Sequence, residues 1–426
     1  MTQKFKETEI GKIPEDWGLL TLEKAMESII DYRGKTPKKT DSGVPLITAK
    51  IVKNGRILEP NEFISPEDYE SWMRRGLPKP GDVVITTEAP MGEVAQLDER
   101  KVALAQRLIT LRGKQGILHN NFLRFVLQSP TVENELKKRE SGTTVTGIKQ
   151  KELRKTLLPI PPYDEQIKIS EILMSLDDKI ELNIKMNSAL EQIAQTLFKH
   201  WFIDFEFPDK NGNPYKSSGG RMVDSELGEI PEGWRVGNIL DFANLLSGGT
   251  PKTSVSEYWD GGIPWVSAKD VTSSNGTFIL TTEKTITQKG IERSNAKLLP
   301  KYTTVVTARG TVGNVCILSG EMAINQTNYG LKSKYDYGDF FLFLIILNLI
   351  QDMKQNAYGT VFDTITTKTF RQIQIIVPSM NFIELFENIV GNLMHKMLSN
   401  LEEFQNLSAI RDSLLPKLIS GKIRVQ

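Results

Sequence analysis

The chain has 426 residues, and its 53 Lys and Arg against 52 Asp and Glu give a net charge of +1, with 39% hydrophobic residues. This length predicts two or three domains, the composition excludes a largely disordered or fibrous chain, and the charge balance excludes attraction to nucleic acid through a global basic excess. The single cysteine, Cys316, excludes an intrachain disulfide and a cysteine-based zinc site. With no visible signal peptide or membrane-spanning run, we expect a cytoplasmic protein.

The chain contains two copies of one unit, offset by about 217 residues. Residues 9–17 (EIGKIPEDW) resemble 226–234 (ELGEIPEGW), and residues 43–50 (GVPLITAK) resemble 262–269 (GIPWVSAK). Short apolar runs broken by Gly, Pro and Asn-Gly predict strands, and helical stretches interrupt these runs. This mixture predicts that each copy forms an α+β domain of about 150 residues. Further matches in the same order are 34–38 with 248–252, 83–94 with 305–315, 103–106 with 323–326, 142–143 with 359–360 and 160–161 with 377–378.

Each copy has a locally basic stretch. From Asp31 to Arg56 there are seven cations and two anions, and from Glu283 to Arg309 there are six cations and two anions. Either patch alone is better explained as an ordinary solvated face, but one patch in each copy favours nucleic acid. The candidate DNA-contacting residues are Arg33, Lys35, Lys38, Lys39, Lys50, Lys53, Arg56, Thr87, Lys252, Thr253, Ser267, Lys269 and Arg309.

A long helical pattern follows each domain, from Asp164 to Phe205 and from Asn381 to Leu415. The two first residues are preferred N-caps at equivalent positions. Apolar residues at 4-3 spacing predict that the two helices form an antiparallel coiled coil. They are Ile169, Leu173, Leu176, Ile180, Leu190, Ala194, Leu197 and Trp201 in the first helix, and Phe386, Val390, Leu393, Met397, Phe404, Leu407, Leu414 and Leu418 in the second.

At equivalent steps of this pattern the coil carries Asn183 and Asn400. In an antiparallel pair with a pseudo-two-fold axis these residues would meet near the middle and specify the register, as a buried polar pair can. Alternatively, the pattern stutters there and both asparagines face water. Between the copies, residues 207–221 (FPDKNGNPYKSSGGR) have the composition of a linker.

No motif for catalysis or cofactor binding is recognisable. Gly34-Lys35-Thr36 lacks the glycine that a phosphate-binding loop requires five positions earlier, where Ile29 stands. The three histidines, His119, His200 and His395, are far apart in sequence and form no metal-binding motif. We therefore expect no catalytic residue, no metal and no cofactor.

Several of the repeated motifs resemble the target-recognition domains of type I restriction-modification specificity subunits. They are SGGTPK at 247–252, Tyr258-Trp259, GIPWVSAKD at 262–270, GEIPEGW at 228–234 and VVITT at 83–87 with GEVA at 92–95. The resemblance implies an α+β fold with two pseudo-repeated target-recognition domains joined by two long helices that form an antiparallel coiled coil. The implied ranges are a first recognition domain at 1–163, a helix at 164–206, a linker at 207–223, a second recognition domain at 224–380 and a C-terminal helix at 381–426.

The resemblance implies a non-catalytic subunit that reads double-stranded DNA and docks two methyltransferase subunits, with restriction-translocase subunits in the full complex. Because the copies differ where bases would be read, the target should be bipartite and asymmetric. Outward apolar residues of the coil should contact partners, with Phe198, Phe202 and Leu415 as candidates, unless they pack against the chain's own domains. The alternatives are a fused methyltransferase-nuclease, which lacks its motifs here, and a two-domain coiled-coil scaffold that binds protein without DNA specificity.

Overall fold

The structure, a computed structural model, describes residues 4–32, 36–142, 146–274, 276–356 and 364–425, without the side chains of 354–356. It divides into two compact units. Unit 1 is Met1–Glu181 with Gln405–Gln426, and unit 2 is Leu182–Phe404. Unit 1 is therefore assembled from both ends of the chain, whereas unit 2 is one continuous segment.

Unit 1 is an α+β domain with one segment of each long helix. Its strands are β1 (Phe5–Thr8), β2 (Gly11–Pro14), β3 (Gly18–Thr21), β4 (Met26–Asp31), β5 (Val44–Ile47), β6 (Val52–Lys53), β7 (Arg56–Ile57), β8 (Phe63–Ile64), β9 (Val83–Thr87), β10 (Met91–Gln96), β11 (Ala103–Leu104), β12 (Leu108–Gly113) and β13 (Leu157–Ile160). Its helices are α1 (Leu22–Ala25), α2 (Pro66–Trp72), α3 (Asn120–Leu127), α4 (Pro130–Lys137), α5 (Gln150–Leu153) and the first part of α6 (Tyr163–Phe198).

The sheets of unit 1 enclose two apolar cores. A four-stranded sheet has the order β10-β9-β12-β4, and a three-stranded sheet has the order β11-β5-β8. One core lies between the larger sheet, α3, α4 and the long helices, and includes Trp17 and Phe122. The other core lies around the smaller sheet and includes Leu46 and Tyr69.

Unit 2 repeats this architecture. Its strands are β14 (Met222–Ser225), β15 (Gly228–Pro231), β16 (Arg235–Asn238), β17 (Ala243–Ser247), β18 (Trp259–Val266), β19 (Phe278–Ile279), β20 (Lys284–Ile286), β21 (Leu298–Leu299), β22 (Thr304–Thr307), β23 (Val315–Leu318), β24 (Met322–Ile324), β25 (Asn328–Ser333) and β26 (Gln374–Val377). Its helices are the second part of α6, α7 (Ile239–Phe242), a 3-10 turn (Ser256–Tyr258), α8 (Ala268–Ser273), α9 (Gln288–Glu292), α10 (Asp339–Asn356), α11 (Thr367–Gln372) and most of α12 (Met380–Ile419). The strand orders are β17-β25-β22-β23-β19 and β20-β18-β24-β21.

Matched segments of the two copies pair in the same register. In unit 1 the parallel pair β5 and β11 aligns Leu46 with Ala103, and in unit 2 β18 and β24 align Trp265 with Ala323. The antiparallel pairs β3–β13 and β16–β26 also agree, since Gly18 opposes Ile160 and Arg235 opposes Val377, 217 residues later. The predicted duplication is therefore confirmed in three dimensions.

The long helices differ from the predicted pattern at their ends. α6 begins at Tyr163, so Asp164 lies in the first turn instead of capping it. After Phe198 the helix continues as a π-helix, Lys199–Ile203. The wider turn places the consecutive residues Trp201 and Phe202 both in the core. α12 continues through Pro416 to Ile419, so it extends beyond the predicted end at Leu415.

Within each unit the two long helices run antiparallel, as predicted. In unit 1, Arg411 of α12 donates to Asp177 of α6 at 2.9 Å. In unit 2, Asn183 donates to Glu403 at 2.9 Å, and Asn187 donates to the carbonyl of Met397 at 3.0 Å. Within unit 2, contacts therefore move towards the start of α12 as they advance along α6. Within unit 1, Glu165 near the start of α6 likewise contacts Arg424, which lies beyond the end of α12.

Candidate nucleic-acid interface

In unit 1 the loop after β9 is held by backbone hydrogen bonds to two other segments. The amide of Thr87 donates to the carbonyl of Arg107 at 2.9 Å, and the amide of Ile148 donates to the carbonyl of Thr87 at 2.9 Å. The buried hydroxyl of Thr86 accepts from the amide of Glu93 at 2.9 Å. Three segments distant in sequence therefore meet at the end of β9.

Unit 2 holds the loop after β22 by the same contacts. The amide of Ala308 donates to the carbonyl of Thr327 at 2.8 Å, and the amide of Ile365 donates to the carbonyl of Ala308 at 3.0 Å. The hydroxyl of Thr307 accepts from the amide of Asn314 at 2.9 Å. We call this arrangement of three segments, present once in each unit, the loop frame.

A side-chain hydrogen bond that occurs in both copies ties another repeated motif to the loop frame. In unit 1, Gln106 donates to the hydroxyl of Thr36 at 2.6 Å. In unit 2, the hydroxyl of Thr250 donates to Gln326. Thr36 and Gln106, which belong to two different repeated motifs, thus meet in space, as do Thr250 and Gln326. The sequence identifies these motifs as repeats but carries no signal that they touch.

The side chains that project from the two loop frames differ in charge. Unit 1 has an exposed ion pair in which Nε of Arg107 lies 2.6 Å from Oε1 of Glu88. At the equivalent positions unit 2 has Thr327 and the exposed Arg309. Arg309 forms no ion pair with a described residue. One backbone arrangement therefore presents two different chemical surfaces.

The basic residues predicted around 31–56 lie in several different places. Arg33 and Lys35 fall outside the described residues. Lys38, Lys50 and Lys53 are exposed and form no ion pair with any residue that the structure describes.

The other two cations of this stretch are not free surface charges. Lys39 pairs with Glu62 at 2.8 Å. Arg56 is half-buried on β7, near Arg124. Burial is the main cause that lowers the pKa of Arg124, and the charge of Arg56 acts in the same direction. Among the described residues of this stretch, the open cations are therefore the three exposed lysines named above.

In unit 2 some predicted residues also have structural roles. Lys252 and Thr253 are exposed, but Lys269 pairs with Glu283 at 2.6 Å. Ser267 caps α8, because its hydroxyl accepts from the amide of Asp270 at 3.2 Å. Thr87, the remaining candidate of unit 1, is half-buried within its loop frame.

Both coil asparagines are buried, with 1% exposure each, which removes the solvent-facing alternative. The side-chain amides of Asn183 and Asn400 donate to other residues and not to each other. Asn183 donates to Glu403, and Asn400 donates to Oδ1 of Asn187 at 2.9 Å. Their role in fixing the register stays a prediction.

The three residues suggested as outward contacts of the coil are instead buried. Phe198 and Phe202 belong to the core of unit 2, and Leu415 belongs to a core of unit 1. The alternative, packing against the chain's own domains, is therefore correct. The long helices do expose other apolar side chains, which fall outside the 4-3 pattern: Ile172, Leu182, Ile184, Ile193, Leu385, Ile389 and Ile410.

Among the described residues, no group of histidine, cysteine or acidic side chains could hold a metal ion. No helix within the described ranges is long and apolar enough to cross a membrane. Cys316 is buried, and burial raises the pKa of its thiol to about 12.

Comparisons with known proteins agree with the duplicated architecture. The model of the family described as "Type I restriction modification DNA specificity domain" matches residues 14–192 and 231–408. The type I restriction enzyme MjaIX specificity subunit of Methanocaldococcus jannaschii is 27% identical, over 99% of this chain and 97% of that protein. The HindI specificity subunit of Haemophilus influenzae is 30% identical, over 62% of this chain and 69% of that protein.

A solved structure has the same fold. The S subunit of a type I restriction-modification system from M. genitalium superimposes with a TM-score of 0.61 at 17% identity, covering 98% of this chain and 99% of that one. Two matches to the family model, in the two halves that the repeat defines, cover most of the chain. The chain therefore belongs to the family of type I restriction-modification DNA specificity subunits.

Proposed function

We propose that this chain is the non-catalytic DNA-recognition subunit of a type I restriction-modification complex. Each unit reads one half of a bipartite, asymmetric sequence in double-stranded DNA. The chain also docks two methyltransferase subunits, and restriction-translocase subunits in the full complex, and would act in the cytoplasm. The reactions would take place on those partners.

One observation carries the DNA-reading proposal: the loop frame occurs twice with the same backbone and different exposed side chains. Thr87 and Ala308 occupy equivalent places, yet Glu88 and Arg107 project from one frame and Arg309 from the other. Contacts to the phosphate backbone of DNA position a protein on the duplex, whereas side chains at the base edges distinguish sequences. A repeated scaffold with different side chains is suited to reading two different short sequences.

The surface charge supports local rather than general attraction to DNA. Lys38, Lys50 and Lys53 are exposed in unit 1, and Lys252 and Arg309 are exposed in unit 2. Each such cation that neutralises a phosphate makes binding more dependent on salt. Lys269 is already paired with Glu283, so we expect it to contribute less.

The proposal is tested by sequencing the methylated bases of a host that expresses this chain with its methyltransferase partner. We expect one methylated motif with two unlike half-sites separated by an unread spacer. A strain lacking only this chain is the control and should lack the motif. Methylation of a continuous or palindromic motif contradicts the bipartite assignment. A complex that assembles but binds no DNA favours the protein-binding scaffold.

Exposed apolar side chains of unit 2 support the docking of partner proteins. Leu182 and Ile193 of α6 have exposed fractions of 50% and 52%, and the half-exposed Met186 lies on the same side of the helix. On α12, Leu385 and Ile389 are one helical turn apart and similarly exposed. Apolar residues aligned along a helix are typical of a surface that another helix covers.

The change Ile193→Asp tests this docking surface. A carboxylate at an apolar contact must be desolvated on association, so we expect at least tenfold weaker binding of the methyltransferase subunit. Gln192→Asp, at the exposed neighbouring position, is the matched control and should change binding less than threefold. Isothermal titration with the purified partner measures both. Equal losses, or none, would place the partner elsewhere.

A further inference from the structure

We propose that Arg107 and Arg309 are the guanine-reading residues of units 1 and 2, and that Glu88 is a positioning residue for Arg107. The inference rests on the proposed function and names side chains that decide sequence within each half-site. Its ligand is the major-groove edge of a guanine, which presents two acceptors, O6 and N7.

The geometry of the ion pair leaves the end of Arg107 available. Glu88 approaches Nε, at 2.6 Å, and neither terminal nitrogen of Arg107 donates a hydrogen bond to a described residue. The side chains of both partners are about half exposed, at 56% and 42%. A carboxylate at Nε orients the guanidinium plane, while the two terminal nitrogens can donate together to a base.

The backbone of Arg107 adds a second reason. Its φ is +69°, in the left-handed region where glycine or asparagine is the usual residue. A turn that served only to connect β11 and β12 would be more stable with one of those residues. A long cation at a strained backbone position fits a residue whose side chain has a function there.

In unit 2 the guanidinium comes from a different loop of the equivalent frame, the loop after β22. Arg309 directly follows Ala308, whose backbone has the contacts of Thr87, and Thr327 stands where unit 1 has Arg107. Arg309 is exposed and forms no ion pair within the described ranges. The two arginines therefore project from different loops of equivalent frames. They would meet guanine at different positions of the two half-sites.

This role differs from that of the exposed lysines. An ammonium group neutralises a phosphate but cannot donate two hydrogen bonds from a planar fork, so replacing arginine by lysine separates the two roles. Arg107→Lys keeps the charge and should lose the reading of guanine. Lys53→Ala, at an exposed position of the same unit, removes a charge and serves as the matched control.

The experiment selects bound duplexes from a library randomised at each position of the methylated motif, using the complete complex with its methyltransferase subunits. For Arg107→Lys we expect preference for guanine at one position of one half-site to fall by about tenfold or more, with the other half-site unchanged. Arg309→Lys should affect one position of the other half-site. Lys53→Ala should weaken binding to all sequences alike.

The positioning role of Glu88 has its own readout. Glu88→Gln should reduce discrimination at the Arg107 position alone, and Glu88→Asp should restore part of it. A merely structural role would instead change the melting temperature without moving the preference at that position.

The outcomes separate this inference from the proposed function. If the wild-type complex selects no bipartite motif, the proposed function fails. If it selects one but Arg107→Lys and Arg309→Lys leave every preference unchanged, or abolish preference in both half-sites, the guanine assignment fails while DNA recognition stands.

Discussion

The buried carboxyl group of Glu387 links the long helix of unit 2 to α10. Its side chain accepts a hydrogen bond from the amide of Phe341 at 2.7 Å, at the start of that helix. Burial raises the pKa of Glu387 to about 7, and the nearby charge of Asp339 acts in the same direction. Lys332 pairs with Asp339.

We expect the stability of unit 2 to depend on this group. A carboxyl whose pKa is higher in the folded state favours folding when protonated. The stabilisation is therefore full below the unfolded pKa, about 4.5, and is lost as pH rises through about 7. Glu387→Gln should raise the free energy of unfolding at pH 8 by up to about 3 kcal/mol, with little change at pH 5.

Chemical denaturation between pH 5 and 8 measures this effect. Glu384→Gln, at an exposed position of the same helix, is the control and should leave the pH dependence unchanged. A variant at Glu387 that keeps the wild-type pH profile would show that the carboxyl is not the responsible group.

Single-residue roles were predictable only where they depend on neighbours in sequence. Ser267 and Asp270 have the spacing of a helix cap, and the structure forms that cap. The pair of Arg107 and Glu88 joins different strands across 19 residues, and no periodic pattern indicates which side chains meet there. For Phe198 and Phe202 the sequence leaves outward contact and packing on the chain's own domains both open, because the 4-3 pattern does not indicate the π-helix at Lys199–Ile203, which holds Phe202.

At the scale of elements, the segment that follows each long helix packs on a tryptophan next to a two-stranded hairpin. In unit 1 this is Trp17, after β1 and β2, and in unit 2 it is Trp234, after β14 and β15. The two copies use different chemistry at this contact. In unit 1, Arg424 donates to Asp16 and to Glu165, at 2.7 and 2.6 Å, and lies 5.8 Å from the ring of Trp17. Hydrogen bonding by Arg424 lowers the pKa of Asp16. Gly421, with φ +67°, lies so close to Pro14 that a Cβ atom would approach it to 2.3 Å.

In unit 2 the equivalent contacts are aromatic. Phe207, 217 residues before Arg424, stacks on Trp234 with a centroid distance of 4.8 Å and contacts Phe382 at 4.4 Å. Phe382 and Trp234 are the counterparts of Glu165 and Trp17. The buried carboxylate of Glu165 requires a polar or charged partner, which a phenylalanine such as Phe207 cannot provide. The segment after each long helix therefore matches only the hairpin of the unit in which it packs.

Arg424→Ala should loosen the hairpin of unit 1. The change leaves the buried Glu165 without its cation, which costs about 2 kcal/mol. We expect faster hydrogen–deuterium exchange in residues 5–21 and no change around Trp234. Lys422→Ala, two residues away and exposed, is the control. Unchanged exchange in residues 5–21 would mean that the apolar contacts of the tail suffice.

The ordered repeats predict that the two copies share one fold, and the 4-3 pattern predicts the direction of the long helices; which strands pair is not indicated by the sequence. The parallel pair of β5 with β11 recurs as β18 with β24, and the apolar run at 340–350 lies within α10. The hairpin of β6 and β7 in unit 1 has no such guide, since unit 2 places the short helix α8 in the corresponding stretch. Local turn chemistry decides such differences.

For the whole molecule, the ends of the chain matter because residues 405–425 complete unit 1. Removing residues 420–426 should expose Trp17, open a core of unit 1 and leave unit 2 intact. Limited proteolysis should then cleave unit 1 at a rate at least tenfold higher, while unit 2 keeps its wild-type resistance. A C-terminal extension of seven Gly and Ser residues is the control. Equal sensitivity of both units would contradict this division.

The discontinuity of unit 1 has a consequence for synthesis on the ribosome. Unit 2 is complete in sequence once Phe404 has emerged, although its synthesis starts later. Unit 1 is begun first but must wait, with Trp17 and the neighbouring apolar side chains uncovered, until Leu418 and Arg424 have been translated. A late stop codon would therefore damage the domain encoded at the opposite end of the gene.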